Sequence, residues 1–455
     1  FVICFLATTA AGATITTVNS HYTAAEVSRQ LHDSEASVVM YHPNTAAAVL
    51  GATQMLPPGT VKHMISTHEA INSSDLSLST LAADDGLAYP KNLQVDVASD
   101  VSVLPYSSGT TGAPKGVMLT NRSIVANLQQ LSHPDLIFNN PFGVDITFAV
   151  IPLFHIYGMV TCLFLTLTTG SKCITFTKFD PHLYIKCLLK YKPTVLHTVP
   201  PILHFLVQTP QVQREVMASV QTIGSGAAPV GEALAQQVRS KFGDNIQFQE
   251  GYGMTELSPV SHVAPIGQFV AGSCGKLVPN TTCKLVHLET GDVLAPGDGE
   301  GELCIKGPQV MKGYFNNPEA TASTIDDEGW LHTGDVARVN EDGNCFIVDR
   351  IKELIKVKGF QVAPAELEDV LRECPGVADA AVIGVPDSKA GEVPRAYIVK
   401  DTSNHSVTAE ELQKFMAERV AAHKQLVGGV VFVEVIPKAM TGKILRKDLR
   451  DLAEL

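Results

Sequence analysis

Apolar and polar positions alternate along this chain in two periods, and the switches between them outline its elements. Val27 and Leu31 stand four apart within the helix-forming run Ala24 to Leu31, and Val38 to Tyr41 reads as a short buried strand. From Asp75 to Asp100 the chain turns polar, the mark of a surface connection. Ile124, Leu128 and Leu131 then share one helical face. The stretches that follow predict a strand at Ile146 to Ile151, a helix at Met159 to Leu167, a strand at Cys173 to Phe176, a helix at His182 to Lys190 and a strand at Thr194 to Thr198. This alternation predicts an α/β fold with parallel-rich sheets and flanking helices, whose ligands sit beyond the carboxyl ends of strands.

Past Gly291 the pattern shortens into a turn-rich β-subdomain, with strands at Gly301 to Lys306, Val336 to Val339 and Asn344 to Val348. The remainder predicts a small α+β unit: helix Pro364 to Arg372, strands Val377 to Val385 and Arg395 to Val399, helix Ala409 to Ala422 and strand Val430 to Val435. The expected division is a large N-terminal domain over 1–350 and a small C-terminal domain over 351–455.

Composition narrows the function. With 45% hydrophobic residues the chain can fill substantial cores, and a formal charge of 34 minus 46, or −12, argues against a nucleic-acid binder that works through a basic face. Nine cysteines, an odd number with no C-x-x-C pair, fit reduced thiols in an intracellular protein. The 15 histidines include no H-E-x-x-H and no close Cys/His cluster, so a zinc site has little support and any metal is expected to arrive with a nucleotide. Residues 1–19 are apolar but lack a basic start, which favours an internal helix-turn-strand over a signal peptide. The chain begins at Phe1, so an N-terminal piece is expected to be missing. No other stretch approaches ~20 uninterrupted apolar residues.

The candidate chemistry centres on Tyr106 to Val117, YSSGTTGAPKGV. It follows an apolar run and precedes a helix-like segment, so it reads as a strand-to-helix loop. Small residues let the backbone approach an anion, hydroxyls and amides donate, and Lys115 adds a point charge, as a polyphosphate requires. The P-loop spacing does not fit, and the same composition would also suit a flexible linker. Three further loops are placed at strand ends. One carries His155 and Tyr157. A second, Ile223 to Pro229, is small enough for a flat base to approach. The third, Gln249 to Glu256, offers Tyr252 for stacking, Thr255 for a phosphate oxygen and Glu256 as a hard oxygen ligand for magnesium. Asp335 reads as a carboxylate in a turn, suited to ribose hydroxyls. Lys352, Lys356 and Lys358 would share one face of an extended chain, as functional groups or as the lysines of a solvated edge strand. Lys443, in a Thr-Gly turn, could carry a charge from one domain to another, or belong to a basic surface tail.

Together the runs SSGTTGAPKGV, LFHIYG, GYGMTE, HTGDVAR, DRIKELIKVKGFQVAPAELE and PKAMTGKILRKDLR resemble the adenylate-forming (acyl-CoA synthetase) superfamily, in particular its 4-coumarate-CoA ligase and luciferase-like branch. The resemblance implies that 1–350 is an AMP-binding adenylation domain and 351–455 a mobile C-terminal domain. A carboxylate would attack ATP, with Mg2+, to give an acyl-adenylate and pyrophosphate, and coenzyme A would then displace AMP. It implies a phosphate cradle of Ser107, Ser108, Gly109, Thr110, Thr111, Gly112 and Lys115. Gly226, Ala227, Ala228 and Tyr252 would border adenine, Gly251 and Gly253 would also be cofactor-binding, and Asp335 and Arg350 would take the ribose. The implied catalytic set is Lys443, His155, Thr255, Glu256 and Lys356, with Glu256 as metal ligand and Lys443 bridging the acid and the α-phosphate. Lys352 would be the hinge that brings Lys356, Lys358, Gly359 and Gln361 to the coenzyme A tunnel. His155 would guard an acyl pocket walled by Ile156, Tyr157, Gly226, Gly253, Pro259 and Val260. Ser258 stands where the plant ligases usually have glycine, which leaves 4-coumarate-like aryl acids and medium-chain fatty acids as candidate substrates. A luciferase-like oxidative enzyme and an inactive nucleotide-binding remnant are the competing readings. The compartment implied is cytoplasmic or peroxisomal, although Ala453-Glu454-Leu455 is not the peroxisomal Ser-Lys-Leu.

Overall fold

The computed structural model describes residues 1–72, 75–107, 114–136, 143–226, 230–401, 407–439 and 442–453. Its largest sheet has seven strands, in the order Lys276–Leu277, Val260–Val263, Gln247–Gly253, Thr222–Ser225, Val195–Thr198, Ile146–Ala149 and Lys172–Thr175. The last five run parallel. Val195–Thr198 is buried at every position, as expected of a strand covered on both faces. Tyr184 and Leu188 from helix Pro181–Tyr191 join Leu234 and Val238 from helix Glu232–Phe242 in one core with Phe148, Leu196, Ile223 and Phe248. The first of these helices starts where Asp180 accepts from the Leu183 N–H at 2.8 Å, with Pro181 at its first position. The parallel-rich α/β fold with flanking helices is therefore present.

Other predicted elements shift. The helix predicted from Met159 starts earlier, as a π-helical segment Tyr157–Phe164 that continues to Thr168. Helix Pro200–Gln208 is not among the predicted elements; its two prolines occupy the first turn, where no N–H is needed. At the N-terminus, helix Val2–Ala10 buries Phe5 edge-on against Phe164, with ring centroids 4.9 Å apart. Strands Val38–Tyr41, His63–Ser66 and Leu76–Ser77 form a separate parallel sheet.

The segment around the phosphate loop departs from expectation. Tyr106–Ser107 and Lys115–Thr120 pair antiparallel with Ser107 opposite Lys115, so this is a β-hairpin and not a strand-to-helix loop. The hairpin belongs to a small sheet with Val101–Val103 and Gly313–Tyr314, outside the seven-stranded one. The apolar run from Val117 to Leu119 is a buried strand, and helix Asn121–Leu131 begins only after it, capped by Thr120 and Ser123. Residues 108–113, and with them Ser108, Gly109, Thr110, Thr111 and Gly112, lie outside the described residues, as do Ala227 and Ala228.

A five-stranded antiparallel sheet follows: Val293–Leu294, Thr282–Val286, Gly301–Lys306, Leu331–Val339 and Cys345–Arg350. Asp335 therefore sits in a strand and not in a turn. The last sheet contains Phe360–Val362, Ile355–Val357, Gly391–Lys400 and Val377–Asp387, with Val430–Phe432 beside Gly391–Lys400. Helices Pro364–Arg372, Ala409–Ala417 and Arg446–Ala453 pack on it through Leu367, Leu371, Leu412, Met416 and Leu449. Lys352, Lys356 and Lys358 do not share one extended face. Lys352 is in a turn, Lys356 is in a strand, and Lys358 turns the following hairpin with a φ of 49°. Among the described residues no helix is long and apolar enough to cross a membrane.

Candidate active site

Glu256 holds the hairpin to the body of the site. It is buried in the short 3₁₀ turn Thr255–Leu257 after strand Gln247–Gly253, and its Oε1 accepts from Ser107 Oγ at 3.0 Å and from Tyr314 Oη at 2.9 Å. Tyr314 also lies under Lys115, whose Nζ is 4.5 Å from the ring centroid. Burial, reinforced by Glu256, raises the Tyr314 hydroxyl above its usual range, so it remains a donor. A carboxylate on hydroxyl donors, next to a lysine and a half-buried Thr255, is a hard-oxygen environment. It fits Mg2+, which takes one or two protein carboxylates and completes its shell with phosphate oxygens and water. Tyr314 gave no sequence signal, since a tyrosine ending a short strand is ordinary.

A second network joins two sheets. Tyr252 Oη donates to Asp335 Oδ2 at 2.6 Å, and Arg350 Nε meets Asp335 Oδ1 at 3.1 Å from the neighbouring strand. Burial, and then Asp335, push the Tyr252 hydroxyl well above its ordinary value, so it donates throughout the physiological range. Each carboxylate oxygen keeps a second acceptor position, so the buried Asp335 can still receive hydroxyl donors. Gly251, Tyr252 and Gly253, expected in a loop, end the strand itself. A Cβ on Gly253 would lie 2.0 Å from Pro259 O, which excludes any side chain there. Behind this wall Glu250 is buried and pushed up to about 8 by burial; it accepts from the Val230 N–H at 3.1 Å.

Lys443 reaches the same network from the C-terminal unit. Burial and the nearby Arg350 lower its ammonium to about 8, against the opposing pull of Asp335 and Glu353. Its placement has visible causes. Gly442, at φ 83°, packs against Pro201, where a Cβ would stand 3.0 Å from the ring. Arg446 Nη2 pairs with Glu368 at 2.6 Å, and Arg450 pairs with Glu353.

On the acyl side, the main-chain N–H of Tyr157 donates to His155 Nδ1 at 3.3 Å. Burial lowers His155 to about 4, so the ring is neutral at pH 7. Tyr157 stands edge-on to His197 with centroids 5.9 Å apart, and Gly226 faces it closely enough that a methyl would meet Cε1 at 3.7 Å. Ile156 and Pro259 are buried, and Val260 half-buried. Ser258 has a φ of 65° and a buried Oγ with no hydrogen-bond partner. Glycine suits that backbone better. Ser258→Gly is expected to stabilise the fold by about 1–2 kcal/mol, once the unfolded-state entropy of glycine is offset. A urea midpoint that falls instead would show that the hydroxyl has found a partner.

The remaining candidates are not gathered here. Lys352, Lys356, Lys358, Gly359 and Gln361 are exposed on the C-terminal unit, Lys356 directly opposite Gln361 in a two-stranded hairpin. Gly359 takes a φ of 86° at its tip.

This is the fold of an adenylate-forming enzyme. The chain belongs to the AMP-binding enzyme family, whose model matches residues 1–315, and the AMP-binding enzyme C-terminal domain matches residues 366–443. It is 41% identical to a 4-coumarate–CoA ligase of Vanilla planifolia, over 99% of this chain and 81% of that one. Among solved structures it is similar to ATP-bound MatB from Rhodopseudomonas palustris, with a TM-score of 0.88 and 28% identity over 99% of this chain and 86% of the other; the apo form of that protein gives 0.76. An anthranilate CoA ligase in complex with anthranoyl-AMP gives a TM-score of 0.86 and 25% identity, covering 99% of this chain and 84% of that one.

Proposed function

We propose that this chain is an ATP-dependent acid–CoA ligase that forms an acyl-adenylate, preferentially from a 4-coumarate-like aryl acid, and transfers the acyl group to coenzyme A. The observation that carries the proposal is Lys443, delivered from the C-terminal unit to the Tyr252–Asp335–Arg350 network, in a chain about two-fifths identical to 4-coumarate–CoA ligases. A carboxylate is a poor electrophile, and mixed-anhydride formation with AMP makes its oxygen a good leaving group. The protein's contribution is positioning and stabilisation of charge on phosphorus.

In this reading Ser107, Lys115 and residues 108–113 hold the β- and γ-phosphates, and Thr255 meets the α-phosphate. Glu256 would hold Mg2+, which supplies charge neutralisation at the phosphates. Tyr252, Gly226 and the Gly251–Gly253 strand flank adenine, and Asp335 with Arg350 orients the ribose. The neutral His155 edge closes the acyl pocket of Ile156, Tyr157, Pro259 and Val260. The adenylation domain runs over 1–350, and Lys352 is the hinge of a mobile 351–455 domain. Its swing withdraws Lys443 and brings Lys356, Lys358, Gly359 and Gln361 towards coenzyme A.

The test is a pyrophosphate-release screen over aryl and fatty acids, with and without coenzyme A. Release that needs both ATP and an aryl acid, with thioester formed on adding coenzyme A, is the expected result. Absence of release with every acid would overturn it. Tyr314→Phe, which removes one donor from Glu256, is expected to raise the KM for MgATP roughly tenfold or more, from the ~1.5–3 kcal/mol of a hydrogen bond to a carboxylate. An unchanged KM would remove Tyr314 from the nucleotide site.

A further inference from the structure

The cysteines that show no metal spacing along the chain meet in the fold. His262 on strand Val260–Val263, Cys274 just before Lys276–Leu277, and Cys345 at the start of Cys345–Arg350 are all buried, and their ligand atoms lie within 4.8 Å of one another. Cys283, half-buried on strand Thr282–Val286, and Cys345 are both within hydrogen-bonding reach of the His262 ring. We propose that His262, Cys274, Cys283 and Cys345 bind one soft divalent transition metal, zinc by chemical class, and that this ion clamps the seven-stranded sheet to the antiparallel sheet.

The donor set is one imidazole and three thiols, a combination that selects zinc over magnesium and calcium. Tetrahedral Zn–S and Zn–N bonds of about 2.3 and 2.0 Å place ligand atoms roughly 3.5–3.8 Å apart, a small contraction of the His262, Cys274 and Cys345 group, while Cys283, which meets His262 but lies outside that group, must close in further. The backbone already fixes two ligands. Cys274 N–H donates to Cys345 O at 2.9 Å, Cys345 N–H donates to Gly275 O at 2.9 Å, and Ser273 Oγ donates to the same Cys345 carbonyl at 2.8 Å. Gly275 permits this approach, because a Cβ there would stand 2.0 Å from Val263 C. The Ser261 hydroxyl bonds His262 Nδ1 at 3.0 Å, which orients the ring and leaves ligation to Nε2, the outer-shell arrangement that metal-bound histidines use. The bound state needs three thiolates and a neutral imidazole, so three protons leave the four-residue cluster for solvent; the resulting single negative charge lies near Arg338. In the second such cluster, Glu302, Cys304 and His332, both ring nitrogens of His332 are already engaged, Nδ1 by Glu302 at 2.8 Å and Nε2 by Asp326 at 3.4 Å, so it serves as a control. The clamp would stand directly behind the nucleotide wall: His262 is registered opposite Tyr252, with ring centroids 6.0 Å apart.

Titrating the thiol-reduced full chain with Co2+ and Zn2+ in excess Mg2+ tests this. The expected result is one equivalent of Co2+ with tetrahedral d–d bands and thiolate-to-cobalt absorption, displaced by Zn2+, with about three protons released per metal. Cys274→Ser and Cys345→Ser lose the thiolate band, Ser261→Ala weakens affinity by about ten- to a hundredfold, and Cys304→Ser changes nothing. The wild-type titration stands alone if a variant fails to fold. A reduced wild-type chain with no thiolate–cobalt band, a band that survives in Cys345→Ser, or a Cys274–Cys345 disulfide that persists under the reducing conditions and bars the metal would each overturn the proposal.

Discussion

Replacing Lys443 by alanine is expected to lower acid-dependent pyrophosphate release by about two to three orders of magnitude, the ~3–4 kcal/mol of one well-placed oxyanion donor. The thioester half-reaction, started from preformed acyl-adenylate and coenzyme A, should be nearly unaffected, because the proposed swing withdraws Lys443 in that step. Two pH trends separate this role from a structural one. Lys443 is held down to about 8, chiefly by burial, so it is charged below that pH and neutral above it. Adenylation by the wild type should therefore fall as pH rises through about 8, while Lys443→Arg should lack that basic limb. Stability runs the opposite way. Between about 8 and the ordinary lysine range the unfolded chain binds the extra proton, so the stability contribution of this group grows as pH rises. Lys443→Ala removes the buried charge and should leave the unfolding midpoint unchanged or higher. A variant that loses activity together with stability would sink the assignment.

The sequence carried the large pattern and most of the chemistry, but not the joints. Strands Ile146–Ala149 and Val195–Thr198 were legible because burial on both faces demands apolar runs. Helix Pro364–Arg372 was legible because its start at Pro364 and its amphipathic face agree. The hairpin around the phosphate loop was not. Gly116 to Thr120 is short, and whether such a run pairs with Tyr106–Ser107 or leads into a helix depends on Tyr314, which arrives about two hundred residues later. Asp335 and Arg350 could be named by type and motif. Their pairing across two strands, and the Tyr252 hydroxyl that completes it, belong to sheet register, which spacing does not encode. The same holds for His262 with its cysteines, where scattered positions argued against the cluster that the fold builds. Ser258 is a different case: its residue type was visible as a departure, while the left-handed backbone that explains a glycine preference was not.

Glu368→Ala is expected to cost about 3–5 kcal/mol of stability in the C-terminal unit. Glu368 is buried, its Oε1 accepts from the Val382 N–H at 2.8 Å, and Arg446, only 12% exposed, rests on the same oxygen at 2.6 Å. Deleting the carboxylate takes the nearest counter-charge from a buried guanidinium, leaving it only the fields of Asp349 and Glu353, and leaves the Val382 N–H with no acceptor. Arg446 opens the last helix three residues after Lys443, so the loss should propagate to chemistry: hydrogen exchange across Arg446–Ala453 rises, and pyrophosphate release falls in kcat with less change in the KM for ATP. A Glu368→Leu, Arg446→Leu double variant removes both charges together and should recover most of the stability, because desolvation of an ion pair offsets much of its attraction. If that variant also recovers pyrophosphate release, the pair serves only to seat the helix. If stability returns and activity does not, Arg446 is needed to aim Lys443 at the α-phosphate. Unaltered exchange in Glu368→Ala would mean that the helix is held without this pair, by Arg450 on Glu353 and by Leu449, which is fully buried in the C-terminal core.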